Sequence, residues 1–250
     1  MMVVYIAVMI AALAGMIVCS KKQETMPAAK ALSIVLLIVV IGCGVMVMKD
    51  YFGDSAGNAL RENENRFYAA QAFVVGDYAK NTLGGGKILL IADPSYKNAG
   101  ARMEGFIAAM KKGLGGEVDV DTVELPAAGE DSGESVAERM TAKDFDAVIA
   151  RHGDAKTVVS LIGLPRDLKN LKAIQNTKLG KGPALILLSA DVPQMAQMIA
   201  TGMVTAVVTV SQKAVFNEDP APSDEKAAFA VRYILVDKNN VKENKGLFGI

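Results

Sequence analysis

Residues 84–96 read Gly84-Gly85-Gly86-Lys87-Ile88-Leu89-Leu90-Ile91-Ala92-Asp93-Pro94-Ser95-Tyr96. Three consecutive glycines punctuate the chain, and an unbroken apolar run of strand length follows them. A strand that is apolar at every position has both faces covered, as in a parallel sheet with helices on either side. A polar turn then leads into a helical pattern over 99–114, with Met103, Phe106, Ile107 and Met110 on one stripe. Strand, polar turn and amphipathic helix together form the repeating unit of an α/β fold.

Toward the C-terminus the same alternation continues. Residues 118–125 alternate apolar and polar side chains, which predicts a strand with one solvated face near a sheet edge. A Gly/Asp/Ser-containing loop over 127–133 and a short helix over 135–141 precede a third strand at 146–150. Residues 156–163 and 168–174 read as helical around Pro165. Strand four is expected at 185–188, a helix at 193–201, strand five at 204–210, a loop at 217–225 and a closing strand at 229–236. The fold class is therefore α/β. We expect a single three-layer, Rossmann-like lobe with a mostly parallel sheet of five or six strands over 84–250.

Toward the N-terminus the composition changes twice. Residues 58–83 predict an amphipathic helix, with Leu60, Phe67, Ala70, Val74 and Tyr78 on one side and Arg61, Glu62, Glu64 and Arg66 on the other. Either the following domain or a second copy of the helix would cover that narrow stripe. Residues 50–57 form a polar joint, so 50–83 is a juxtamembrane segment. Residues 2–19 and 31–48 carry no charge and are 17 and 15 parts apolar in 18. Each would span about 27 Å as a helix, enough for a bilayer core of about 30 Å with some help from its flanks. Residues 1–49 are thus expected to be a transmembrane hairpin, with helices over about 2–20 and 31–48. Its turn holds Lys21, Lys22 and Lys30 against Glu24, which keeps the turn in the cytoplasm and exports everything after Lys49. The expected location is the inner (cytoplasmic) membrane, with the α/β lobe on the periplasmic or extracellular side. The run Val40-Ile41-Gly42-Cys43 offers an alternative anchor, a lipobox with Cys43 lipidated.

Whole-chain numbers exclude several classes. The chain has 250 residues with 27 Lys+Arg against 27 Asp+Glu, so no basic face is implied and no nucleic-acid partner is expected. Two cysteines inside apolar runs do not form a disulfide framework, and one histidine does not supply a metal site. No metal and no cofactor are expected.

Open parallel sheets bind ligands beyond the carboxyl ends of their strands. On the predicted strands those ends carry Asp93 and Tyr96, then Arg151, His152 and Asp154, then Ser189 and Asp191, then Gln212. This rim of short polar groups with one guanidinium and one imidazole suits hydrogen bonding to a small polar solute. Asp93, Asp154 and Asp191 could equally serve as helix caps. Gly84-Gly85-Gly86-Lys87 precedes a strand, whereas a phosphate cradle follows one and opens a helix. No Gly-x-Ser-x-Gly elbow occurs, and His152 has no motif partner. No catalytic residue is assigned.

The motifs over 84–241 resemble one lobe, the C-terminal one, of the type 1 periplasmic sugar-binding proteins and the related effector domain of LacI-type repressors. The resemblance rests on Gly85-Gly86-Lys87-Ile88-Leu89-Leu90-Ile91, on Ala101-Arg102-Met103-Glu104-Gly105-Phe106 and on Phe145-Asp146-Ala147-Val148-Ile149-Ala150. Ile199-Ala200-Thr201-Gly202 before 204–208 and Tyr233-Ile234-Leu235-Val236-Asp237 before Val241 complete it. The ligand positions are degenerate. His152, Ser189 or Ala190, and Val210 with Gln212 displaced stand where the family places Asn, Asp and Gln. The family clamps its ligand between two lobes, and only one is present here. With the apolar spans as anchor and one lobe missing, the chain reads as a membrane-anchored, non-catalytic interaction or sensory module. The alternative is a sugar-like solute binder that completes itself as a homodimer or with a partner membrane protein. A third, weaker likeness is to response-regulator receiver domains, from which this chain departs by lacking an acidic neighbour to Asp93 and by carrying Arg151 at the expected phosphoacceptor position.

Overall fold

The structure, a computed structural model, describes residues 2–21, 27–52, 55–123, 125, 136–188 and 194–248. It comprises two compact units, Met1–Glu62 and Asn63–Ile250.

In the first unit, α1 (Met2–Lys21) and α2 (Pro27–Phe52) pack against each other. Their contact is made by small residues. Ala12, Cys19 and Ala29 are buried, and a Cβ at Gly15 would lie 3.0 Å from Leu36 Cδ1. The large side chains point outward, with Val4, Ile10, Ile17, Ile34, Ile38 and Met48 all more than half exposed. Both helices are long and apolar enough to cross a membrane. Lys22 and Glu24 of the expected basic turn lie outside the described residues.

The helix α3 (Ser55–Thr82) leads into the second unit. There follow β1 (Ile88–Ala92), α4 (Ala101–Leu114), β2 (Val118–Thr122), α5 (Val136–Arg139), α6 (Ala142–Arg151) and β3 (Thr157–Ser160). The chain continues through α7 (Lys172–Lys178), β4 (Ala184–Leu187), α8 (Met195–Ala200), β5 (Ala206–Val210), α9 (Glu225–Arg232) and β6 (Tyr233–Asp237). The six strands run in the order β2-β1-β3-β4-β5-β6, parallel except for β6, which is antiparallel to β5. This is the expected mixed α/β fold with a mostly parallel sheet.

The strand side chains alternate between two cores. Leu89, Ile91, Val158, Leu185 and Val207 face Phe145 and Val148 of α6, Ile174 of α7, and Met195 and Ile199 of α8. Ile88, Leu90, Val159, Ile186 and Val208 face Phe67 and Val75 of α3, Phe106 and Met110 of α4, and Phe229 of α9. Residues 63–82, expected as part of a juxtamembrane linker, thus contribute to the outer layer of the lobe. The helix α3 approaches α4 at two glycines. A Cβ on Gly76 would lie 2.3 Å from the Met110 carbonyl oxygen, and one on Gly113 would lie 2.2 Å from that of Phe73. The two backbones are in direct contact there.

The sequence reading is corrected at three elements. Residues 146–150 belong to α6 and are not strand three. Thr141 caps α6 by accepting from the Asp144 amide, Asp144 reciprocates at the Thr141 amide, and Ala142, Phe145 and Val148 form its buried stripe. Strand three is Thr157–Ser160, where a helix was expected, and its four residues are all buried. Residues 229–232 close α9, which Asp224 caps by accepting from the Ala227 amide, and the last strand begins only at Tyr233. The loop expected over 127–133 lies outside the described residues.

Arg232 at the end of α9 is 2% exposed. Its guanidinium stacks over Phe67, 3.6 Å from the ring centroid, and donates to Glu64 at 2.7 Å. This hydrogen bond and the positive charge behind it hold the Glu64 carboxyl below its ordinary range, against a smaller opposing effect of burial.

Candidate functional site

Strand order locates the site. Chain connections leave β1 toward β2 and leave β3 toward β4, in opposite directions, with α4 on one face of the sheet and α7 on the other. Neighbouring strands that diverge in this way open a crevice at their carboxyl ends. At that point the structure has a cleft of about 340 Å³, lined by Asp93, Ser95 and Tyr96 after β1, Leu161 and Ile162 after β3, Arg102 and Met103 of α4, and Tyr68 of α3.

Local sequence explains each wall. Asp93 ends β1 in extended conformation and accepts from the Ser95 amide at 2.8 Å, starting a single 3₁₀ turn over Pro94–Asn98. Pro94, at the first position of that turn, has no amide hydrogen to leave unpaired. Gly100 then sits at φ 52°, ψ −136°, a backbone region open almost only to glycine, which allows α4 to begin at once. Helical side chains lean toward their own N-terminus, so Arg102 in the first turn overhangs the cleft. Its guanidinium lies 4.4 Å from the centre of the Tyr68 ring, and Tyr68 in turn packs on Phe106 with centroids 4.5 Å apart. Burial pushes the Tyr68 phenol up, partly offset by the Arg102 charge. The cleft therefore offers a carboxylate, a guanidinium, hydroxyls and an aromatic face above an apolar floor. Among the described residues its lining includes neither imidazole nor thiol.

Of the residues proposed from sequence, Asp93 and Tyr96 meet in this cleft. Arg151, His152 and Asp154 do not, because they precede β3 instead of following it. They gather along β2 and at the amino end of β1. His152 places Nδ1 3.1 Å from Asp119 and Nε2 2.9 Å from Asp121, while Arg151 binds Asp121 at 2.9 Å and donates to the Thr122 carbonyl. Lys87 bridges Asp119 at 2.8 Å and Asp154 at 3.1 Å. Gln212 follows β5 beside Gly246 and does not line the cleft. Ser189 and Asp191 lie outside the described residues. Tyr68 and Arg102 were missed. The available signal was position, since the first turn of a helix that starts shortly after a central strand overhangs the carboxyl edge.

The β2 cluster makes the lobe acid-sensitive. The Lys87 hydrogen bond, aided by His152 and opposed by burial, holds the Asp119 carboxyl below its usual range. Burial opposes the same lowering at Asp121, where the Thr122 amide, His152 and Arg151 prevail. A lowered folded-state pKa gives stability that is present above the unfolded value of about 4 and is lost as pH falls through the folded one. Urea melts should therefore show stability falling below about pH 4, and the slope should be shallower in Asp119→Asn/Asp121→Asn, whose neutral amides no longer titrate.

No protein-family model matches the sequence, and no curated protein matches it. Solved structures are similar at low levels. A carbohydrate transporter protein of Acidothermus cellulolyticus in complex with myo-inositol aligns with TM-score 0.45 and 13% identity, over 72% of this chain and 60% of that one. The arabinose-binding protein AraP of Geobacillus stearothermophilus aligns with TM-score 0.43 and 16% identity, over 71% and 62%. A sugar-binding protein of a Bacillus halodurans sugar transporter aligns with TM-score 0.41 and 10% identity, over 72% and 64%. This chain thus spans less than two thirds of each neighbour's length.

Proposed function

We propose that this protein is a membrane-anchored, non-catalytic recognition lobe. Its α1/α2 hairpin holds it in the cytoplasmic membrane, and its α/β unit faces the periplasm or exterior, where it binds a small polar solute in the cleft between β1 and β3. The observation that carries the reading is the coincidence of that cleft with the point where the strand connections diverge, lined by Asp93, Ser95, Tyr96, Arg102 and Tyr68. The cleft is small and only partly enclosed. A second copy of the chain or another membrane protein would supply the opposing wall.

The test is a thermal-shift screen of the whole chain in detergent micelles against polar metabolites. A ligand selective for the folded form at 100 times its Kd stabilises it by about 2.7 kcal/mol. For a lobe of this size that raises Tm by roughly 5–10 °C. A screen in which no sugar, polyol, amino acid or hydroxy acid shifts Tm overturns the proposal. Orientation is tested separately, by cysteines placed at Lys21 and Lys169. An impermeant thiol reagent added outside spheroplasts should label only the second.

A second reading, a protein-interaction module, draws on a different region. Val210, Val215 and Phe216 around the turn after β5 are 45%, 49% and 63% exposed. Phe216→Ser should leave any solute-dependent Tm shift intact but abolish a partner complex seen by crosslinking in native membranes.

A further inference from the structure

The cleft holds two opposite charges that do not neutralise each other. The Arg102 guanidinium lies over the Tyr68 ring and its charge also acts on Glu64, but it makes no hydrogen bond or ion pair among the described residues. Asp93 spends Oδ1 on the Ser95 amide, and no cation among the described residues lies within ion-pair distance of it. Arg102 and Asp93 line one cleft of about 340 Å³ without forming an ion pair. Other well-placed charges of the lobe are paired, such as Arg232 with Glu64, Lys87 with Asp119 and Asp154, and Lys226 with Asp77.

From this we infer, resting on the solute-binding reading above, that the cleft takes a small zwitterion of the amino-acid class. Its carboxylate would lie on the free edge of the Arg102 guanidinium, and its ammonium on the Oδ2 side of Asp93. A guanidinium seated over an aromatic ring keeps its N–H groups for a second partner, and their fork takes a carboxylate bidentately. Leu161, Ile162 and Met103 supply the apolar wall against which a short aliphatic body rests. A neutral sugar is the poorer occupant. Covering both charges with hydroxyl groups removes their water and supplies no counter-charge, which costs free energy that a zwitterion recovers at each end. Ligand specificity of this kind comes from leaving charges unpaired for every wrong occupant.

The experiment uses the whole chain in detergent micelles and measures Tm shifts and calorimetric Kd for three probe sets. These are neutral L-amino acids (alanine, serine, valine), neutral monosaccharides and myo-inositol, and monoanionic hydroxy acids (lactate, glycerate). The inference expects binding by at least one amino acid and at least tenfold weaker binding by every sugar. Arg102→Gln and Asp93→Asn should each weaken the amino acid at least tenfold, while Lys97→Gln should not. Asparagine caps a turn as well as aspartate, so Asp93→Asn keeps the fold, and an unchanged ligand-free Tm verifies this. N-acetylation of the bound amino acid should weaken wild type as much as Asp93→Asn does and should not add to it. Binding by sugars alone overturns the inference and leaves the solute-binding proposal standing. Hydroxy acids that bind as tightly as amino acids and ignore Asp93→Asn overturn it as well. A screen empty in all three sets overturns both.

Discussion

Gly76→Ala and Gly113→Ala should each lower the stability of the α/β unit by about 3 kcal/mol or more. That is the upper end of the cost of overpacking, because the atoms met are backbone carbonyls that cannot rotate away. The new methyl of Gly76→Ala would sit 2.3 Å from the Met110 oxygen and that of Gly113→Ala 2.2 Å from the Phe73 oxygen, so α3 must lift off α4. For a unit of this size the Tm drop is roughly 10 °C. Gly105 is the control. It lies in α4 with Gly113 but has open space around its would-be Cβ, so Gly105→Ala should be neutral or stabilise by about 0.5–1 kcal/mol through helix propensity. Thermal melts by circular dichroism of the three variants decide the matter. Equal Tm values would show that the two helices do not touch at the glycines.

The second large effect concerns where the folding unit begins. A fragment starting at residue 84, the boundary expected from the triple glycine, should not fold cooperatively, whereas one starting at residue 55 should. The shorter fragment loses Phe67, Ala70, Ala72, Val75 and Ala79, all buried against the sheet and α4. Phe67 alone is worth about 3–5 kcal/mol, and Val75 adds about 1.5–3. Loss of Phe67 and Glu64 also strips Arg232 of its counter-ion and of the nearer of its two aromatic neighbours, leaving Phe216 at 5.0 Å. The sum rivals the 5–15 kcal/mol that holds a whole domain together. The expected signature is a broad, sloping melt and dye binding for 84–250 against a sharp transition for 55–250. A sharp transition in both at the same Tm would refute it.

Much of this was legible in the chain itself. The apolar spans at 2–19 and 31–48, the opening strand, the helix at 101–114 and the α/β alternation follow from composition and periodicity, which local residues set. The third strand was not legible in the same way. Ala147-Val148-Ile149-Ala150 looks like a strand by its β-branched residues, yet Thr141 and Asp144 form a capping box that commits the segment to a helix. Thr157-Val158-Val159-Ser160 is then the strand, and its burial at the sheet centre decides a short run that periodicity cannot. That exchange moved Arg151, His152 and Asp154 from the carboxyl rim to the β2 cluster. Asp93 and Tyr96 do line the cleft, because they follow a strand that was placed correctly. Tyr68 and Arg102 were invisible as a pair, since they are 34 positions apart and meet only when α3 and α4 lie side by side.

The cluster on β2 has one more effect. This strand ends the sheet, and an uncovered rim of amides and carbonyls is a template onto which a further chain can zip, the first step toward fibrils or swapped dimers. Here the Arg151 guanidinium occupies the Thr122 carbonyl, and it and His152 fasten the two strand carboxylates. An incoming strand would have to break these bonds and bring its own side chains against Asp119 and Asp121. Molecules of this protein crowded together are therefore guarded against polymerising through that margin.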